Sequence, residues 1–125
     1  MLMEYPFILT RSYIMAECNT VVEVDYGGST LTLQSTNITP RTISLEISDE
    51  QLKILHNEKN SIVGLQANLK FKCYNGNFEI NNNTYTARCV SNVRLSISRF
   101  LLVFQFTKLN GSQKRHILNS IARLY

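Results

Sequence analysis

A chain of 125 residues, 44% hydrophobic and 18% charged, is sized for one domain and is too apolar to be disordered. A net charge of +4 permits an anionic ligand or partner, but the dense Lys/Arg stripe of a nucleic-acid binder is absent. Cys18, Cys73 and Cys89 are odd in number and far apart, which argues against a disulfide framework and a zinc motif and for free thiols in a reducing compartment.

The N-terminus MLMEYPFILT has no basic leader, and its apolar run is broken by Glu4 and Pro6. No run approaches the roughly 18 apolar residues of a membrane span. The expectation is a cytoplasmic protein, in which the sequons at Asn37, Asn82 and Asn110 carry no glycan. Residues 1–19 read as a lead-in segment, either an extra strand or an arm. Tyr5, Phe7, Ile8 and Leu9 serve to pack on the chain's own domain or to dock a partner.

The first clear strand is Val21–Tyr26, where Val22, Val24 and Tyr26 alternate with Glu23 and Asp25. Gly27-Gly28 signals a two-residue hairpin, and Ser29–Ser35 returns with Leu31 and Leu33 on one face. Pro40 cannot donate to a ladder, so the chain is expected to turn or leave the sheet over Thr36–Arg41. Thr42–Ile47 alternates through Ile43, Leu45 and Ile47. Ser48 with Gln51 three residues on is a capping box for a short helix, Asp49–Leu55. After a solvated loop, Gly64 marks a bend. Leu69, Phe71 and Cys73 then alternate with Lys70 and Lys72.

Two Asn-rich turns flank a short strand at Phe78–Ile80. Thr84–Ser91 alternates through Tyr85, Ala87 and Cys89, and Val93–Ser98 either extends that strand or connects it to the next. Phe100–Phe106 is almost wholly apolar, which predicts burial on both faces. Asn110-Gly111 supplies residues that tolerate positive φ, with Ser112 as N-cap of a terminal helix over 112–125. Ile117, Leu118, Ile121, Leu124 and Tyr125 form its apolar stripe. Six or so short strands with connections too short for crossovers imply a mainly β fold. The expected form is a small six-stranded antiparallel barrel over 20–125, capped by the C-terminal helix.

No nucleophile, acid–base pair or metal cluster is legible. His56 and His116 lie in polar surroundings without an acidic or Cys neighbour in sequence, and no Gly-rich phosphate loop exists. The reading is a non-enzyme without a cofactor.

The order of NITPRTISLEI, LQANLKFKC, an Asn-rich hairpin, TYTARCV, FLLVFQF and a terminal helix resembles the PilZ domain. The best-matching segment is FLLVFQFTKLNGSQKRHILNSIARL, and the resemblance covers about residues 20–125. It implies a six-stranded barrel that is a receptor for cyclic di-GMP or, in degenerate members, a protein adaptor in type IV pilus, secretion or motility machinery. Family binding uses an Arg-x-x-x-Arg motif and an Asp/Asn-x-Ser-x-x-Gly motif. Asn37, Thr39 and Thr42 fall at the three positions of the second motif, and Thr42 replaces its glycine with a β-branched residue. Arg11 is the only arginine before the first strand, with Phe7 and Met15 four residues to either side. Loss of one arginine–phosphate fork costs roughly 1.5–3 kcal/mol. Arg41, beside the motif, is the substitute within reach.

Three functions follow. The first is a degenerate PilZ-like adaptor that works by protein contact in a bacterial machine, at or near the cytoplasmic face of a membrane-associated complex. The second is an atypical cyclic di-GMP receptor using Arg11, Asn37, Thr39, Arg41 and Thr42. The third, independent of the resemblance, is a barrel binding single-stranded nucleic acid through Lys70, Lys72, Tyr74 and Tyr85.

Overall fold

Alternating apolar and polar residues make strands whose apolar side must be covered, and here the strands cover one another by closing on themselves. The computed structural model describes residues 16–17, 20–55, 62–72 and 84–124. Its elements are β1 (Ala16–Glu17), β2 (Val21–Tyr26), β3 (Ser29–Ile38), β4 (Thr42–Ser48) and α1 (Asp49–Leu55). β5 (Gln66–Lys72), β6 (Tyr85–Arg94), β7 (Arg99–Phe106) and α2 (Gly111–Leu124) follow.

β3, β2, β5, β6, β7 and β4 are neighbours in that order, all antiparallel, and β4 pairs back with β3. The result is the closed six-stranded barrel expected of the pattern. β1 lies beside the far end of β3, with Ala16 opposite Ile38 and Glu17 opposite Asn37. The ladders differ in length. β7 is paired along its whole length on both sides, whereas β3–β4 joins only through Gln34–Ile38 and β5–β6 through Gln66–Leu69.

The inward positions are those the alternation selects: Val22, Val24, Leu33, Ile43, Leu45, Ile47, Leu69, Phe71, Tyr85, Ala87 and Cys89 are buried. Phe71, Tyr85 and Phe106 form an aromatic cluster with ring centroids 5.3–6.5 Å apart. Gly27 and Gly28 take φ values of 49° and 87°, the mirror-image turn that a two-residue hairpin requires. The capping box on α1 forms as written, with Gln51 N–H donating to Ser48 Oγ at 3.2 Å and Ser48 N–H to Gln51 Oε1 at 3.1 Å.

Five findings correct or resolve these expectations. β3 runs on to Ile38, because a register shift between Ser35 and Asn37 absorbs the extra residue and keeps Ile38 inward. β7 is buried on one face only: Phe100, Leu102, Phe104 and Phe106 point in, while Leu101 and Val103 are half-buried on the outside. β6 extends to Arg94, and residues 95–98 form a hairpin tip into β7. The terminal helix begins at Gly111 and is capped by Asn110, not Ser112. Gln113 N–H donates to Asn110 Oδ1 at 2.7 Å, and Asn110 N–H donates to Gln113 Oε1 at 3.2 Å. The positive φ of that connection falls on Lys108, at 53°, rather than on Asn110-Gly111.

Ile117 and Ile121 of the α2 stripe are buried, and Leu118 stands half exposed beside them. Cys89 is a buried free thiol. The readings made on residues 1–15, on Cys18, on His56, and on Cys73 through Asn83 lie outside the described residues, as does Tyr125.

Candidate functional site

The β3–β4 connection carries the residues singled out from the sequence. It is a tight turn, Thr39-Pro40-Arg41, held at both ends. Thr39 N–H donates to Thr42 O at 2.9 Å. Thr39 Oγ1 accepts from Arg41 N–H at 3.1 Å and from Thr42 N–H at 2.9 Å, and lies 2.8 Å from Thr42 Oγ1. Pro40 fits here because the turn asks nothing of its missing N–H. The Arg41 carbonyl accepts from Phe106 N–H at 2.8 Å, which ties the turn to β7.

The hydroxyl of Thr39 is therefore engaged in closing the hairpin. Thr42 opens β4 as an ordinary extended residue, and its φ is not positive. Asn37 lies two residues upstream within β3, opposite Ser44 of β4 and Glu17 of β1. It is half-buried on the outer face. The Arg41 side chain is exposed. Thr39 and Thr42 are thus brought into contact, Arg41 stands beside them, and Asn37 sits along the strand. Arg11 lies outside the described residues.

The outer face next to the turn holds three residues that the sequence did not single out. Thr42 is opposite Gln105, Gln105 is opposite Arg88, and Arg88 is opposite Gln66. This row places one exposed arginine on a face of neutral polar groups. Only the cross-strand register reveals it.

Further along the same barrel wall, the polarity changes. Val90, Val93, Leu95 and Ile97 are exposed, Ile97 at 86%, and Leu101 lies opposite Val93. The sequence left Val93–Ser98 as either an extension of the strand or a connection, and its apolar residues at 93, 95 and 97 were not singled out. A fork from Arg99 to Glu46 borders the patch, with Nη2 to Oε1 at 2.7 Å and Nε to Oε2 at 3.2 Å. That hydrogen bond, and then the Glu46 charge, raises the guanidinium pKa above its ordinary value.

The nucleic-acid reading loses its platform. Tyr85 is fully buried inside the barrel, so it presents no ring to a base. Lys70 is exposed, and Tyr74 lies outside the described residues. Among the described residues no group of three or more His, Cys, Asp or Glu is placed to hold a metal ion. No helix among them is long and apolar enough to cross a membrane.

No family model and no curated protein matches the chain. Solved structures do. The PilZ domain of YcgR from Escherichia coli, determined with c-di-GMP, superposes with a TM-score of 0.68 at 12% identity, covering 91% of this chain and 90% of that one. The fold is that of a PilZ domain. The Bacillus subtilis inhibitor of motility MotI/DgrA gives a TM-score of 0.67 at 11% identity over 90% of this chain. MrkH of K. pneumonia in its apo state gives 0.64 at 16% identity over 87%. The chain spans about half the length of these last two, 49% and 47%. At such identities the likeness is one of PilZ-like architecture. The β3–β4 turn holds the segment aligned above with the Asp/Asn-x-Ser-x-x-Gly motif.

Proposed function

We propose that this PilZ-like chain is a non-catalytic protein-interaction module of a bacterial assembly, such as pilus, secretion or motility machinery, acting without the conventional cyclic di-GMP site. The observation that carries the reading is the state of the turn. A ligand base would need a free hydroxyl at 39 and a glycine at 42. Thr39 Oγ1 already accepts two amide N–H groups and meets Thr42 Oγ1, and Thr42 carries a β-branched side chain in extended geometry. Freeing that hydroxyl means leaving turn amides without their acceptor, which costs about 1–3 kcal/mol before any ligand contact is made.

The apolar outer wall of the β6–β7 hairpin supports protein contact. Soluble monomers seldom leave neighbouring Val, Leu and Ile side chains uncovered unless something binds there. MotI, one of the similar structures, is an inhibitor of motility, a role compatible with such contact. Location at the cytoplasmic face of the machine is part of the proposal.

Calorimetric titration of the purified chain with cyclic di-GMP tests it, in parallel with Arg11→Ala. The expected result is no heat and no thermal shift at about 100 μM ligand, an affinity weaker than about −5.5 kcal/mol of binding. Micromolar binding abolished by Arg11→Ala would replace this reading with an atypical receptor built on Arg11, Asn37, Thr39, Arg41 and Thr42.

A further inference from the structure

β5 and β6 do not end together. Their ladder, Gln66–Leu69 against Tyr85–Arg88, continues through two more bonds. Cys89 N–H donates to Leu65 O, and Gly64 N–H donates to Cys89 O, both at 2.8 Å. There it stops. Gly64 has φ of 100°, and Leu65 N–H donates to Ile62 O at 3.1 Å, a tight turn that takes the chain off the edge. β6 itself runs on to Arg94, paired with β7.

The backbone direction along that overhang follows from the ladder. Leu95 N–H donates to Arg99 O at 2.8 Å, so Leu95 faces β7. Antiparallel alternation then points the peptide groups of Val93 and Ser91 at Leu101 and Val103, and those of Asn92 and Arg94 away from β7. Among the described residues, no partner meets the outward N–H and C=O groups of Asn92 and Arg94. The neighbouring side chains Val90, Val93, Leu95 and Ile97 are exposed. The Arg94 guanidinium rests 5.1 Å from the Phe100 ring centroid, and no carboxylate pairs with it among the described residues.

We infer that the β6 edge from Ser91 to Arg94 takes up an extended segment of a protein partner as an added strand. An unpaired strand edge with apolar flanks is a template for another strand, and the ladder already begun by Leu65 and Gly64 sets its direction. The segment's apolar residues cover Val93 and Leu95, and a carboxylate on it meets Arg94. This inference rests on the protein-contact reading and names the kind of partner.

Amide hydrogen exchange on the full chain is the first test. The N–H groups of Asn92 and Arg94 should exchange at least about tenfold faster than those of Val93 and Leu95. Equal protection means the edge is already covered, which overturns the proposal. The second test selects phage-displayed random peptides of roughly ten residues, enough to form a strand. Enriched peptides should alternate apolar residues and carry an acidic one. Their binding should fall about five- to tenfold in Arg94→Pro, which deletes an outward N–H and the charge, and less in Arg94→Gln.

Val93→Lys, an edge-blocking change that leaves the β7 ladder intact, should abolish binding and covers the case of an unfolded Arg94→Pro. Peptides that bind Val93→Lys as well as the parent chain overturn the proposal, as does a failure to enrich any peptide. A dimer that Val93→Lys dissociates also overturns it, by making the occupant a second copy. None of these outcomes touches the cyclic di-GMP titration, so the two readings fail separately.

Discussion

Thr39 shows how one hydroxyl can decide between two uses. Its oxygen accepts from two backbone amides and meets a second hydroxyl, so it stabilises the turn and is withheld from a ligand. Thr39→Ala should therefore destabilise the barrel by about 1–2 kcal/mol in urea unfolding, whereas Thr39→Ser should cost a few tenths. Equal stability of parent and Thr39→Ala would mean that the turn closes without the hydroxyl. The sequence showed that Asn37, Thr39, Arg41 and Thr42 lie close together in the chain. It did not show that Thr39 and Thr42 bond to each other, because that depends on the register of β3 against β4. Arg88 and Gln105 were hidden for the same reason: they are far apart in sequence and adjacent only across the β6–β7 ladder.

At the scale of elements, local chemistry was legible wherever it was self-contained. Gly27-Gly28 makes its hairpin and Ser48 with Gln51 caps its helix, since each needs only four residues to act. The α2 start was misplaced because Asn110-Gly111 carries two meanings. Asn110 serves as a cap, and Gly111 enters the helix with ordinary φ, leaving Lys108 to make the left-handed step. The two glycines that open strands and helices therefore respond oppositely to a methyl group. Neither would meet another atom at the added Cβ. Gly64→Ala should lose about 1–2 kcal/mol, since φ of 100° is strained for alanine, while Gly111→Ala should gain a few tenths or more. Thermal unfolding of the two variants checks the sign, and a shift in the same direction for both would refute the assignment of turn and helix.

For the whole molecule, the core is a closed set of inward rows, and that much follows from strict alternation. Which rows touch does not. β7 looked buried on both faces because its outer Leu101 and Val103 are as apolar as its inner residues; closure into a barrel buries the inner row and leaves the outer one half-buried. Global stability should also depend on alkaline pH. Burial raises the pKa of the Cys89 thiol and of the Tyr85 phenol, so the folded chain holds both protons more tightly than the unfolded one. Their contribution is complete below the unfolded thiol value of about 8.5 and is lost as pH rises through the raised folded values. The melting temperature should fall progressively from about pH 8.5 upward, and Cys89→Ala should flatten the first part of that fall. A melting temperature that rises across this range would contradict the burial.

The unequal ladders divide the barrel like a book. β3, β2 and β5 form one leaf; β4, β7 and β6 form the other, and the short joins β3–β4 and β5–β6 are its two hinges. Each leaf is three strands wide and well laced within itself. The second leaf is the taller, so β6 stands proud of its hinge by the length of Ser91–Arg94. A strand bound along that overhang would grip one leaf without touching the other. It could therefore press on the hinge from outside, and the strength of its hold would register in how readily the two leaves part.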